Sequence, residues 1–207
     1  MAPLSILPLI AVLTFASRCL KMAKIQHYSI YREGNMPDQA PIVRPIKYCY
    51  WVDAGNFLAG EYPRTLDEQS SREKMQALRH AGIEVFVDLT TIHDGLSPYD
   101  HLLDGARRVN FPIPDVSVPE NDAQMKSILD EIDSHLRSNR KVYVHCWGGI
   151  GRTGVAVGCW LARHHGGGRE GYARLQQLWL ANPKSARRAS PETREQVDFI
   201  LKWPAGQ

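Results

Sequence analysis

From residue 47 onward the apolar positions switch between a period of two and a period near 3.6. Tyr48-Cys49-Tyr50-Trp51-Val52 and Asn56-Phe57-Leu58-Ala59 are short apolar runs separated by Asp53-Ala54-Gly55, which predicts two strands and a turn. Thr65 with Glu68 three residues on predicts a capped helix start, and Gly82 predicts its end. Ile83, Val85, Val87 and Leu89 alternate with Glu84, Phe86 and Asp88, the pattern of a strand. A further strand is predicted at Val109 to Ile113, stopped by Pro112 and Pro114. Met125, Ile128, Leu129, Ile132 and Leu136 recur at helical spacing, so 122–138 reads as an amphipathic helix, followed by a strand at Lys141 to His145. An almost wholly apolar helix is predicted at 153–163, a break at Gly166-Gly167-Gly168, and a further helix at 170–181. Ser190-Pro191-Glu192 supplies a cap, a first-turn proline and an acid for a last helix ending at Trp203. Strands alternating with helices predict an α/β fold with a central, mostly parallel sheet of four or five strands flanked by helices.

The amino-terminal third does not share this pattern. Leu4 to Ala16 is mostly apolar and no charge precedes Arg18, yet the run is interrupted by Pro8 and is short beside the ~20 residues that span a bilayer. It lacks the positive first region of a secretory signal, and Met22 offers a second start. Residues 1–21 are therefore read as an apolar leader, signal or anchor, or as a mis-called start. Residues 22–46, polar and carrying Gly34, Pro37, Pro41 and Pro45, read as an extended arm, which leaves 47–203 as the folded domain.

Composition narrows the class. With 207 residues, 43% hydrophobic and 23% charged, the chain fits one ordinary globular domain, neither disordered nor fibrous. A net charge of +3 is too small to argue for nucleic acid, and no nucleic-acid partner is expected. Four cysteines without a CxxC pair point to free thiols, and the scattered histidines point to no metal site.

The chemistry is expected where the strand ending at His145 meets the helix near Arg152. Between Cys146 and Arg152 lie Trp147, Gly148, Gly149, Ile150 and Gly151, a turn able to curl with its amides inward and hold an anion at a helix start. Arg152 adds a planar fork for two phosphate oxygens. This positive setting is expected to favour the thiolate of Cys146 as nucleophile, with the Thr153 hydroxyl donating to the sulfur. A proton donor for the leaving group is expected on a loop able to close over the cradle. Phe111-Pro112-Ile113-Pro114-Asp115-Val116-Ser117-Val118-Pro119 is such a loop, stiffened at both flanks, and Asp115 is its acid. Glu120 and Asp122 are fallback acids, while Asp88 reads as bonding local backbone.

His145-Cys146-Trp147-Gly148-Gly149-Ile150-Gly151-Arg152-Thr153-Gly154 resembles the phosphate-binding loop of the cysteine-dependent protein tyrosine and dual-specificity phosphatases. The order of elements from about Lys47 to Trp203 is compatible with that fold, about three quarters of the chain. The resemblance implies a phosphotyrosine-phosphatase-like fold, a two-step reaction through a phosphocysteine with no metal or cofactor, and the general-acid role for Asp115. It also implies a late loop with two glutamines four residues apart; here the first position is Glu192 and the second Gln196, the candidate for placing the second-step water.

The expected substrate is a phosphoprotein or phosphopeptide, with phosphotyrosine and also phosphoserine or phosphothreonine in view. The alternatives are a non-protein ester such as an inositol phosphate, a nucleotide or an RNA 5′ end, and a catalytically silent phosphate-binding module. The loop has no Lys or Arg between Cys146 and Arg152, which argues against a polyanionic substrate, and Lys184, Arg187 and Arg188 read as a solvated basic run, a contact for acidic residues around a phosphosite being the alternative. A reactive thiol persists in a reducing compartment, so the expected location is the cytoplasm without stable membrane association, export or anchoring through residues 1–21 being the alternative.

Overall fold

The structure, a computed structural model, describes residues 43–207, so the leader at 1–21 and most of the arm at 22–46 lie outside the described residues. The strands are β1 (Cys49–Asp53), β2 (Phe57–Gly60), β3 (Ile83–Asp88), β4 (Arg107–Asn110) and β5 (Lys141–His145), and the helices α1 (Glu68–His80), α2 (Asp122–Arg137), α3 (Gly151–His164), α4 (Gly168–Trp179) and α5 (Arg194–Lys202). The strands form one sheet in the order β1-β2-β5-β3-β4, with only the β1–β2 pair antiparallel. This is the α/β, mostly parallel arrangement that the alternating pattern predicts.

Side-chain alternation on the central strands divides the core. Val142 and Val144 of β5, with Val85 and Val87 of β3, face α2, α3, α4 and α5, whereas Tyr143 and Phe86 face α1 through Met75 and Leu78. Helix α3 is buried from Gly151 to Ala162, which is why its sequence is apolar on every side. Each Val or Leu in that layer contributes ~1.5–3 kcal/mol by leaving water, so the element carrying the expected chemistry is also among the most firmly packed. Among the described residues no helix is long and apolar enough to cross a membrane.

Four boundaries differ from the sequence expectation, each for a physical reason. The α1 cap is Asp67, whose carboxylate accepts from the Ser70 amide at 2.8 Å, while Thr65 sits upstream and accepts from the Asp67 amide; an ionised acceptor out-competes a hydroxyl for that site. Strand β4 begins earlier, at Arg107, because it is an edge strand whose charged residues hide it from an apolar pattern. Helix α4 begins at Gly168, where a β-carbon would meet the Ile200 carbonyl oxygen at 2.1 Å, so only Gly166 and Gly167 form the break. Helix α5 is capped by Thr193, not Ser190, because Thr193 and Gln196 complete a reciprocal capping box and the Ser190 hydroxyl is used elsewhere.

Candidate active site

The sheet order makes β5 the central strand, so its carboxyl end opens onto the crevice where parallel α/β sheets bind ligands. His145, the last residue of β5, is fully buried, and burial brings its pKa down to about 4 against the pull of Asp88. It is neutral at physiological pH. Its Nε2 lies 2.7 Å from the Tyr99 hydroxyl and its Nδ1 3.4 Å from the Cys146 carbonyl oxygen. A carbonyl can only accept, so Nδ1 carries the proton and donates to Cys146, and Nε2 accepts from Tyr99.

The loop after Cys146 is defined by where its carbonyls go. The Trp147 oxygen accepts from the Tyr62 amide at 2.9 Å, the Gly148 oxygen from Lys184 Nζ at 2.8 Å, and the Ile150 oxygen from the Ser190 hydroxyl at 2.8 Å. No backbone amide from Trp147 to Ile150 has a partner among the described residues. Those of Gly151, Arg152 and Thr153 fall in the first turn of α3, whose amides a helix leaves open. Carbonyls tied outward and amides left unpaired leave a run of free donors, a geometry able to hold an anion.

The glycines are not equivalent. Gly149 has φ +69°, and a β-carbon there would meet the backbone of Gly60 and Glu61 at 2.4–2.5 Å. At Gly151 a β-carbon would meet the Glu192 carboxylate at 2.3 Å, whereas at Gly148 the nearest atom is 3.6 Å away and there is room.

Arg152 is 1% exposed and is held from three sides. Nη1 and Nη2 donate to the two Asp94 carboxylate oxygens, both at 2.9 Å, Nη1 also to the Ile113 carbonyl at 3.0 Å, and Nη2 lies 2.8 Å from Asp115 Oδ1. Burial opposes the charge on Arg152, but the Asp94 bonds and the nearby Cys146 outweigh it and raise its pKa further. Its Nε and the Thr153 hydroxyl are buried without a hydrogen-bond partner among the described residues. The donation from Thr153 to the sulfur is therefore not made here. Two buried donors left orphaned in the first turn of α3 are open to a further acceptor, such as an oxyanion.

Asp115 joins Cys146, Trp147, Gly148, Ile150, Gly151 and Glu192 around an open cavity of about 740 Å³. Its side chain is 49% exposed, against 2% for Asp94. The fallback acids Glu120 and Asp122 do not line that cavity, and buried Asp88 accepts from Thr90 and Arg108. Gln196 is buried next to Gly151, but its oxygen already accepts from the Glu192 and Thr193 amides and its nitrogen donates to the Ser117 carbonyl of the acid loop.

Asp94 escaped the sequence reading. Burial pushes its pKa up, but the Arg152 bonds and the Thr91 amide overcome that and hold it below the usual carboxylate range. The signal was present as Thr91-Ile92-His93-Asp94-Gly95, a one-turn capping box closed by a left-handed glycine, which presents the carboxylate rigidly. Of the other cysteines among the described residues, burial pushes the Cys49 thiol up to about 11 and the Cys159 thiol well above its ordinary value.

A family described as "Polymorphic toxin system, DSP-PTPase phosphatase" matches residues 62–166, just over half of the chain. The chain belongs to this DSP-PTPase phosphatase family. The matched span contains Asp94, Asp115, Cys146 and Arg152. Among curated relatives, "Putative tyrosine phosphatase 067L" of Invertebrate iridescent virus 3 is 33% identical over 113 residues, 53% of this chain and 43% of the relative. Cyclin-dependent kinase inhibitor 3 of Sus scrofa is 36% identical over 94 residues, 42% of this chain and 43% of the relative. The chain thus matches less than half the length of these relatives. A solved structure of Tk-PTP in a G95A mutant form superposes with a TM-score of 0.59 at 24% identity, covering 74% of this chain and 91% of that one. The kinase associated phosphatase, solved with its catalytic-site cysteine replaced by serine, gives 0.61 at 18% identity, covering 79% and 94%. At these identities the likeness shows the phosphatase fold.

Proposed function

We propose that the chain is a phosphomonoesterase that hydrolyses phosphotyrosine in proteins, with phosphoserine and phosphothreonine as further substrates, through a phosphocysteine on Cys146. The observation that carries this reading is the Arg152 assembly: a buried guanidinium fixed by Asp94, with an unpartnered Nε, beside Cys146 and a run of unpaired amides. Membership of the DSP-PTPase family supports it.

Arg152 faces two carboxylates, Asp94 and Asp115. The one that gives way to an arriving dianion is Asp115, half-exposed and held by that ion pair, since Asp94 is buried and also bonded to Thr91. Released from Arg152, Asp115 stands on the cavity wall it shares with Cys146, placed to serve as the general acid. The Cys146 thiolate then attacks phosphorus, the bond from phosphorus to the ester oxygen breaks, and Asp115 passes its proton to that oxygen. In the second step water attacks the phosphocysteine, Asp115 takes the water proton, and the sulfur–phosphorus bond breaks to return the thiolate. The amides and Arg152 hold the equatorial oxygens through both steps. Gln196 holds the acid loop to the start of α5.

The test is hydrolysis of aryl and alkyl phosphates in reductant and chelator by wild type, Cys146→Ser and Asp115→Asn. Turnover is expected to vanish in Cys146→Ser. In Asp115→Asn it is expected to fall about 10²-fold or more on poor leaving groups and little on activated ones. A folded wild type that binds phosphate but turns over no ester would overturn the reading in favour of a silent binding module.

A further inference from the structure

The basic run at 184–188 is exposed at Arg187 and Arg188, yet it lines the same cavity as Cys146. Its backbone is built in: the Asn182 side chain accepts from the Lys184 amide at 3.0 Å, and Trp179 Nε1 donates to the Arg188 carbonyl at 2.8 Å. Lys184 reaches across to Glu61 at 2.7 Å and to the Gly148 carbonyl at 2.8 Å, locking this turn to the cradle. From the other side Lys47 enters the cavity wall, and both lysines sit against the Tyr48 ring, with Nζ 4.7 Å from its centroid for Lys184 and 5.0 Å for Lys47.

Pairing separates these four cations into two kinds. Lys184 is matched by Glu61 and Arg188 by Glu192 at 2.8 Å. Lys47 and Arg187 have no carboxylate partner among the described residues. Depth separates them again, since Cys146 is 3% exposed at the floor while Lys47 and Arg187 are exposed at the mouth. Two unmatched cations above a buried nucleophile call for a second negative group next to the reacting one.

We propose that Lys47 and Arg187 form a subsite for a second anion on the substrate, and that the preferred substrate is a phosphorylated peptide segment with a carboxylate or a second phosphate flanking the reacting residue. This rests on the phosphomonoesterase reading above. A peptide fits better than a phosphorylated inositol ring. A ring holds its phosphates close together and calls for cations in the cradle, whereas Cys146 to Arg152 contains no other basic residue and the free charges stand at the mouth. Exposed Trp147 and half-buried Tyr48 add the flat apolar surfaces that peptide side chains use.

The experiment compares kcat/KM of the full chain on three phosphotyrosyl peptides of one length: neutral flanks, Asp and Glu flanks, and a flanking phosphoserine. A short-chain phosphoinositide is run beside them. Two exposed ion pairs acting together support a preference of about fivefold for one or both acidic peptides over the neutral one, shrinking in about 0.5 M salt. The ratio, not the absolute rate, is the readout in a Lys47→Glu/Arg187→Glu variant whose thermal unfolding is checked first, and it is expected to fall to about one or below. Preference for the carboxylate or for the phosphate peptide identifies which anion the subsite takes. Equal rates on all three peptides, an unchanged ratio in the double variant, or faster hydrolysis of the phosphoinositide than of any peptide would overturn the subsite. Failure to hydrolyse any phosphotyrosyl peptide would instead overturn the parent reading.

Discussion

The two loops that meet at Arg152 are built on opposite plans. The cradle from His145 to Thr153 is pinned at nearly every residue: its carbonyls are bound from outside, its histidine is buried, and Gly149 touches the backbone of β2. The acid loop around Asp115 reaches Arg152 through one half-exposed carboxylate and the Ile113 carbonyl, is tied to Gln196 through the Ser117 carbonyl, and carries Val116 at φ +52° next to Asp115. The difference separates two tasks. Stabilising a developing oxyanion rewards donors already in place, whereas delivering and retrieving a proton requires a group that can change partners.

The largest expected effect comes from breaking the rigid half at its tightest contact. Gly149→Ala combines a positive φ with a β-carbon 2.4 Å from backbone, so the cradle must open and turnover is expected to fall about 10³-fold. Gly148→Ala, with room for a methyl group, is expected to stay within a few-fold of wild type. Comparable losses in the two would show that the cradle depends on chain flexibility and not on this contact.

His145 gives the same contrast a pH dependence. Its folded pKa of about 4 lies below the unfolded value of 6.5, so on acidification the unfolded chain takes up the proton first. Stability is therefore expected to fall as pH drops from about 6.5 towards 4, by about 3 kcal/mol from this group, and no further from it below that. Denaturant unfolding of His145→Asn across the same window is expected to show a loss of stability smaller by that amount; an unchanged loss would assign the acid sensitivity to other groups.

Asp94 joins the two halves, and Asp94→Asn tests how far the guanidinium depends on it. The amide keeps one hydrogen bond but loses the charged fork, so kcat/KM is expected to fall about 50-fold, equally for good and poor leaving groups. A loss confined to poor leaving groups would mean that Asp94, rather than Asp115, serves the proton.

The rigid half was legible in the sequence and the connecting residues were not, for a reason these effects make plain. His145, Cys146, the glycines and Arg152 are contiguous, so spacing and residue type state their geometry directly. The alternating and helical periods placed β3, α2 and β5 to within a residue or two because buried faces impose them. Asp94 lies 58 residues from Arg152 and becomes its partner only once β3 and β5 pair. Lys47 and Arg187 are likewise brought together by the fold, so nothing local distinguished Arg187 from a solvated charge. Ser190 misled because it carries the residue type of a helix cap, yet its hydroxyl is spent on the Ile150 carbonyl of the cradle. Local chemistry is readable from local sequence; pairings made by topology are not.

The smallest expected effect concerns the strained residue of the acid loop. A β-branched side chain at φ +52° is an outlier that costs ~1–2 kcal/mol, and Val116 is largely exposed, so little packing offsets it. Glycine removes that cost but adds ~0.5–1 kcal/mol of unfolded-chain entropy. Val116→Gly is therefore expected to stabilise the protein by up to ~1 kcal/mol, a rise in Tm of a few degrees. The sign is the informative part, because Val→Gly in an unstrained loop lowers Tm. If strain holds Asp115 at its position over Arg152, the same variant also loses a few-fold on poor leaving groups while gaining stability. A higher Tm with unchanged turnover would show that the loop's contacts with Arg152 and Gln196, and not strain at Val116, place the acid.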